Sequence, residues 1–219
     1  GGGGSPRSGG GVGVGGLFRW GMAQRHVGDD PCRDVERLTV TTEEVVGLEL
    51  AECEALLRTA LEVPRVMPFL VLGLFRGMRR AELERLRFEE LDMDEGTVIA
   101  AAKKVKTRQR RVVEITPQMM AWIEAAGWRP EMMQRGPVAP GNLKVVWPKF
   151  WRLAGLKAWP HNALRHTFAS MHYAMWGDES ALQAILGQRS KDVLHSNYRA
   201  LKTRREAEVF WGLMPPVRD

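Results

Sequence analysis

Tyr198 is one of only two tyrosines and lies in the polar stretch SNYRA near the C-terminus. A tyrosine hydroxyl can attack a phosphorus atom, but its pKa of about 10 makes it a poor nucleophile in water. It needs nearby cations that stabilise the phenolate and the charge developing on the phosphate. A lone tyrosine is more often a core or surface residue, so its role depends on which groups the fold brings beside it.

Two basic motifs could supply those cations. In GMRRAEL, residues 77–83, a helix begins directly after an apolar helix, and its free N–H groups, together with the planar donor fork of Arg79, would suit a phosphate. In KTRQRR, residues 106–111, a basic hairpin tip could lie along a polyanion. Each motif has a plainer interpretation as well, a solvated arginine at a helix start and a turn kept soluble by charge.

The segment HNALRHT, residues 161–167, opens an amphipathic helix. Leu164 and Phe168 are four positions apart and should face the core. That spacing leaves Asn162 and Arg165 together on another face, where they could grip one phosphate. Alternatively, Asn162 is an ordinary helix cap.

Composition agrees with a polyanionic partner. The formal net charge is +6 with a pI near 9.7, which suits nucleic acid but also fits a soluble protein that happens to be basic. No apolar run approaches the length of a membrane span. The two cysteines have no metal-binding spacing and favour a reducing compartment. We therefore expect a cytoplasmic protein without a membrane partner.

The elements that would position these residues are mostly helical. Apolar periodicity and Gly/Pro breaks predict helices and one β-hairpin. The predicted helices span residues 17–26, 50–61, 68–75, 80–88, 118–127, 143–156, 162–175, 180–187 and 204–213, and the predicted strands span residues 97–102 and 111–115. The glycine-rich residues 1–16 are expected to be disordered.

In this order and spacing, GMRRAEL, KTRQRRVVEI, NALRHTFAS and LGQRSKDVLHSNYR resemble the catalytic domain of tyrosine recombinases, the phage-integrase family. The resemblance implies a mainly α fold with a small antiparallel β-sheet, the fold of DNA breaking–rejoining enzymes. It also implies a division into three parts. After the leader, residues 17–41 resemble a remnant of the family's core-binding domain with a linker, and residues 42–219 resemble the catalytic domain with its C-terminal tail helix.

The resemblance also implies a role for each residue. Arg79 and Arg165 would clamp the oxygens of the scissile phosphate, Lys106 would protonate the departing 5′-oxygen, and Tyr198 would form a 3′-phosphotyrosyl bond. Glu82 would support the site from behind. No cofactor and no metal is implied, because the arginines supply the charge that a metal would otherwise provide.

The sequence departs from the family pattern at two positions. Where the family usually has histidines, this chain has Asn162 and Gln188, which can donate hydrogen bonds but cannot hold the tyrosine's proton. His161 is one residue early, which on a helix is about 100° away, and with Glu82 it would support the site from behind. His195 is close to the nucleophile in sequence, so the identity of the general base stays open.

The implied partner is double-stranded DNA, which Arg108, Arg110 and Arg111 would contact. The implied function is site-specific recombination or integration in a bacterial or phage setting, by a protein that is monomeric when free and multimeric on DNA. Two alternatives stay open: a DNA-binding relic of an integrase that no longer cuts, and a plain helical domain with chance motifs.

The apolar stripe of residues 204–214 fits either packing on its own domain or docking on a neighbouring subunit. From the second possibility we expect that deletion of residues 204–219 leaves the fold largely intact but impairs cooperative assembly on DNA.

Overall fold

The computed structural model describes residues 14–29, 31–32, 46–92, 96–100, 111–187 and 202–217. The chain divides into two units, residues 1–43 and residues 44–219. The first unit contains helix α1 (Val14–Ala23). The second unit contains every other described element.

Helix α1 begins earlier than the sequence predicts. The expected start was residue 17, with a disordered leader through residue 16, yet Gly15 and Gly16 lie inside the helix. The side chain of Arg19 donates a hydrogen bond to the Gly15 carbonyl at 3.0 Å, which supports a first turn that glycine alone disfavours. The prediction for residues 14–16 was therefore wrong.

The second unit is mainly helical with one small sheet, as predicted. The helices are α2 (Leu50–Glu62), α3 (Met67–Arg76), α4 (Arg80–Leu83), α5 (Pro117–Ala125), α6 (Leu143–Leu153), α7 (Ala163–Trp176), α8 (Glu179–Leu186) and α9 (Arg204–Trp211), and the strands are β1 (Leu91–Asp92), β2 (Thr97–Ala100) and β3 (Arg111–Glu114). Within the described ranges, every helix falls short of the combined length and apolarity needed to cross a membrane.

Helix α3 lies at the centre of the core. Its residues from Met67 to Phe75 are all buried, and it packs against α5 and α7. It ends at Gly77, whose φ of +59° is readily adopted only by glycine. A Cβ at Gly77 would lie 2.6 Å from Cδ1 of Phe168 on α7. The glycine thus allows the end of α3 to approach α7 closely.

The strands form an antiparallel sheet in the order β1–β2–β3. Strands β2 and β3 pair from Thr97 with Glu114 to Ala100 with Arg111, which confirms the predicted hairpin for its described residues. Val98 and Val113 are buried beneath it. The sequence did not predict the two-residue strand β1.

The helix predicted over residues 80–88 is wrong beyond Leu83. The carbonyl of Leu86 accepts a hydrogen bond from the Val138 N–H at 3.0 Å, and the Phe88 N–H donates to the Gly136 carbonyl at 2.8 Å. Arg87, between Leu86 and Phe88, is extended, with φ −117° and ψ 152°, so the helix cannot continue through it. Leu83, Leu86 and Phe88 are all buried. Their spacing resembles that of a helix, but beyond Leu83 the backbone pairs with residues 136–138 instead.

The tail helix α9 packs on its own domain. Ala207 and Phe210 are fully buried, and the Phe210 ring lies 5.2 Å from that of Phe75. Beyond the helix, the side chains of Gln118 and Trp122 donate hydrogen bonds to the Leu213 carbonyl at 2.8 and 3.0 Å. The expectation that residues 204–219 can be removed without loss of the fold is therefore wrong, because their removal would uncover core residues.

Candidate active site

Arg165 is buried where three helices meet. Its side chain extends from the first turns of α7 and the residue is only 4% exposed. Nη1 donates to the carbonyl of Gly77 and Nη2 to that of Leu186, each at 2.9 Å. These carbonyls lie at the C-terminal ends of α3 and α8, where helix carbonyls lack intrahelical partners and carry partial negative charge. The guanidinium thus joins both helix ends to α7 and is itself fixed.

Arg79 lies two residues beyond the end of α3 and is held differently. Its backbone N–H donates to one carboxylate oxygen of Glu82 at 2.8 Å, and its Nη1 donates to the other at 3.2 Å. Its side chain is 43% exposed. Helix α4 is one turn long, and Glu82 already accepts the N–H at its start. The predicted anion site at this helix start therefore does not use the Arg79 N–H and depends on the partly exposed guanidinium of Arg79.

His161 and Asn162 both precede α7, which begins only at Ala163. Asn162 has a φ of +52°, a left-handed conformation that asparagine tolerates better than most residues. Its side chain makes no capping hydrogen bond to the described part of the helix. The expected separation of about 100° between the two side chains does not apply, because neither residue is in the helix.

A cleft of about 490 Å³ brings these residues together. Arg79, His161, Asn162 and Arg165 all line it. Glu82 stands behind Arg79 and does not line the cleft. Aromatic and other apolar side chains form the rest of its wall, among them Phe69, Trp147, Trp159 and Leu164.

The charges around the cleft favour an anion. The wall includes three arginines, and the carboxylate of Glu84 in the same wall is paired with Arg80 at 2.7 Å. Charge–charge attraction is stronger beside an apolar wall than in open water. A tetrahedral anion that accepts hydrogen bonds from Arg79 and Arg165 would meet one rigid donor and one adjustable donor.

His166 lies next to Arg165 and is half-buried. Burial, with smaller contributions from the charges of Arg165 and His161, lowers the pKa of His166 to about 4. His166 is therefore neutral near pH 7 and adds no charge of its own.

Several predicted site residues lie outside the described part of the chain. These are Lys106, Arg108, Arg110, Gln188, His195 and Tyr198, and for Arg111 the structure gives the backbone as the first residue of β3. Among the described residues, no group of three His, Cys, Asp or Glu side chains is placed to hold a metal ion.

A second basic surface was missed in the sequence. Lys144, Lys149 and Arg152 are exposed on α6, whose buried residue Trp147 lines the cleft. Residues 142–158 contain no aspartate or glutamate. The absence of acidic residues is visible in the sequence. The apolar periodicity of the same segment, however, predicts only which face of the helix is buried.

The model of the phage integrase family matches residues 48–205, well over half of the chain. The chain belongs to the phage integrase family. Its match begins just before α2 and ends in the first turn of α9, so it includes every residue of the cleft as well as Lys106, Gln188 and Tyr198.

Solved structures agree with this family assignment at the level of fold. XerA recombinase is 20% identical with a TM-score of 0.57, over 78% of this chain and 66% of that one. The integrase of mycobacterium phage Brujita is 18% identical with a TM-score of 0.54, over 94% and 72%.

The Tn1549 transposon integrase, solved in complex with circular intermediate DNA, is 19% identical with a TM-score of 0.59, over 89% of this chain and 74% of that one. This phage-integrase-family chain thus spans about two thirds to three quarters of the length of these structures. It has the fold of tyrosine recombinase catalytic domains. A comparison with curated protein sequences gave no match.

Proposed function

We propose that the chain cleaves and rejoins double-stranded DNA through a 3′-phosphotyrosyl intermediate, in site-specific recombination or integration. The observation that carries the proposal is the meeting of Arg79, Arg165 and Asn162 in one cleft within a family match that includes Tyr198. The role of each residue is part of the proposal.

The first step is binding of the scissile phosphate. Arg165 and Arg79 donate to its non-bridging oxygens, and Asn162 adds an amide donor from the rim of the cleft. Because the two carbonyls fix the guanidinium of Arg165, this donor needs no reorganisation as charge develops. Arg79, with Glu82 behind it, follows the phosphate as its geometry changes.

The second step is transfer. The Tyr198 oxygen attacks phosphorus and gives its proton to a base, for which His161 in the cleft wall and His195 are the candidates. The bond from phosphorus to the 5′-oxygen breaks, and Lys106 gives that oxygen a proton. Rejoining reverses these steps with a 5′-hydroxyl as the nucleophile. The phosphotyrosyl ester conserves the bond energy, so the reaction needs no nucleotide cofactor and no metal.

Binding of DNA beyond the scissile phosphate would use two basic surfaces. One is the hairpin with Arg108, Arg110 and Arg111, and the other is the exposed face of α6 with Lys144 and Lys149. Contacts of this kind hold the duplex without reading its sequence.

We further propose that residues 17–41 are a remnant of a core-binding domain with its linker. Protomers are monomeric when free and assemble on DNA.

The decisive experiment uses a nicked suicide duplex, which traps covalent protein–DNA adducts. We expect an adduct with the full chain, and none with Tyr198→Phe, which should still bind DNA. Tyr173→Phe is the matched control, because Tyr173 is half-buried on α7 and bonds to Glu179 at 3.4 Å. An adduct that persists in Tyr198→Phe, or that maps to Tyr173, would overturn the assignment.

A second candidate function is that of a DNA-binding relic that does not cut. The observation that favours it is the presence of amides at positions 162 and 188 in place of the usual histidines. It predicts salt-dependent DNA binding with no adduct from any variant. The suicide duplex therefore separates the two functions.

A further inference from the structure

Arg76, the last residue of α3, holds the base of the β-hairpin with two groups. Its Nη2 pairs with the carboxylate of Glu114 at 2.7 Å, and its Nε donates to the backbone carbonyl of the same residue. The Arg76 side chain is only 12% exposed, whereas that of Glu114 is 72% exposed. A planar guanidinium bound at two points fixes orientation as well as distance.

Glu114 is the last residue of β3 and pairs with Thr97, the first residue of β2. Arg76 therefore holds the base of the hairpin, and in the sequence Lys106 falls between the two strands, outside the described residues. Each strand has only four residues. Arg76 therefore acts on the base of a short ladder, which the structure describes from Thr97 to Ala100 and from Arg111 to Glu114.

The same end of α3 also carries the phosphate-binding groups. The carbonyl of Gly77, next to Arg76, accepts the hydrogen bond from Arg165, and Arg79 follows two residues later. Residues 76–79 thus connect the base of the hairpin, the guanidinium of Arg165 and Arg79 through one short stretch of backbone. A rigid connection is useful here because proton transfer to a leaving group requires the donor within hydrogen-bond distance of it.

We infer that Arg76 is a positioning residue that fixes the hairpin carrying Lys106 relative to Arg79 and Arg165. The inference rests on the proposed function, in which Lys106 protonates the 5′-oxygen. Arg76 itself does not line the cleft. If Arg76 acts through the hairpin, its loss should slow the step that needs Lys106, which is protonation of the leaving group.

The test compares two suicide duplexes, one ordinary and one with sulfur in place of the scissile 5′-oxygen. A thiol has a pKa of about 8.5, so a thiolate departs without a proton donor. We expect Arg76→Met to cleave the ordinary duplex at least about tenfold more slowly, since small displacements of catalytic groups can cost up to about a hundredfold. On the sulfur duplex its loss should be under about threefold.

Two variants calibrate the comparison. Lys106→Ala should lose far more on the ordinary duplex and recover on the sulfur duplex. Arg58→Met should behave as the unchanged chain on both, because Arg58 makes a surface ion pair with Glu54 in which its side chain is 61% exposed. Arg76→Lys, which keeps the charge but not the two-point grip, should lie between Arg76→Met and the unchanged chain.

Equal losses for Arg76→Met on both duplexes, or no loss on either, would overturn the inference. Failure of Lys106→Ala to recover on sulfur would instead refute the proposed role of Lys106. Backbone amide exchange then decides the positioning itself: residues 97–100 and 111–114 should exchange faster in Arg76→Met than in Arg58→Met, and equal exchange refutes it. If Arg76→Met does not fold, both measurements are made on Glu114→Gln instead. The Glu114 side chain is largely exposed, so this substitution should not unfold the domain.

Discussion

The two arginines of the cleft come from regions of opposite character. Arg165 extends from α7, a helix whose first residues are nearly all buried, and its partners are backbone carbonyls. Arg79 lies at the start of the one-turn helix α4, and its partner is the carboxylate of a half-exposed side chain, Glu82. Arg165 is part of the core, whereas Arg79 is partly exposed at the surface.

The two arginines meet two different requirements of a phosphate site. One group has to be in place before the phosphate arrives, and its fixed position is maintained by the packing of the whole domain. The other has to move with the phosphate, which an ion pair at the surface permits because such pairs contribute little to stability. Substitution at Arg165 should therefore change folding and chemistry together, whereas substitution at Arg79 should change chemistry alone.

The largest effect is expected for Arg165→Ala. Two buried carbonyls would lose their partners, at about 1–3 kcal/mol each, and the free energy of unfolding should fall accordingly. Denaturant titration measures that loss. Arg165→Lys keeps the charge but not the fork, and its adduct formation should fall at least about a hundredfold. A change in rate under about threefold for Arg165→Lys would place Arg165 away from the phosphate.

Arg79→Ala should reduce adduct formation by a similar factor, about a hundredfold. Its free energy of unfolding should change by less than about 1 kcal/mol, because a half-exposed ion pair is weak. The same two measurements, made beside those on Arg165→Ala, test the comparison directly. A destabilisation equal to that of Arg165→Ala would show that both arginines are structural.

A smaller effect, on stability alone, is expected at His172 on α7. His172 is buried, and its Nδ1 has no hydrogen-bond partner among the described residues. Burial, with a smaller contribution from Arg76 and against the opposing charge of Asp178, lowers its pKa from 6.5 to about 4. The unfolded chain therefore takes up a proton between pH 6.5 and about 4 where the folded chain does not, and stability falls as the pH falls through that window.

Replacement of His172 by leucine removes this titration. His172→Leu should unfold at a denaturant concentration that depends less on pH between 6.5 and 4, and at pH 7 it should be no less stable than the unchanged chain. An unaltered pH dependence would mean that the loss in acid arises elsewhere. His166 is the group to test next, since its pKa is also lowered to about 4.

The smallest effect is expected for Glu82→Gln. The amide oxygen can still accept the Arg79 N–H, but the charge that steadies the guanidinium is lost. We expect adduct formation to slow by about fivefold or less, equivalent to about 1 kcal/mol. Rates measured against the concentration of the suicide duplex would separate weaker binding from slower transfer. A hundredfold loss would indicate that Glu82 touches the reacting groups itself.

The sequence predicts local features of this fold well and non-local ones poorly. Helices α2, α3, α5, α6, α7, α8 and α9 follow from apolar periodicity and from glycines that end helices, and the hairpin follows from a change of period. The helix over residues 80–88 failed because its backbone pairs with residues 136–138, about fifty positions away. Periodicity carries no information about such a partner.

The site shows the same limit. Order and spacing of motifs predicted that Arg79, Asn162 and Arg165 meet, and they do line one cleft. The burial of Arg165 and its two carbonyl partners were not predictable, because they depend on where the ends of α3 and α8 lie in space. The grip of Arg76 on Glu114 likewise joins residues 38 positions apart.

The backbone ahead of α2 has a practical consequence for anyone who wishes to express the second unit by itself. The Leu48 N–H donates to the Thr167 hydroxyl at 2.7 Å, and a Cβ at Gly47 would lie 3.3 Å from the Thr167 nitrogen. Glu49 pairs with Lys202, whose side chain is buried ahead of α9. A fragment that begins at Leu50, the first residue of α2, would lose the hydrogen bond, the ion pair and the close approach of Gly47 to Thr167. The cloning boundary therefore belongs upstream of Gly47.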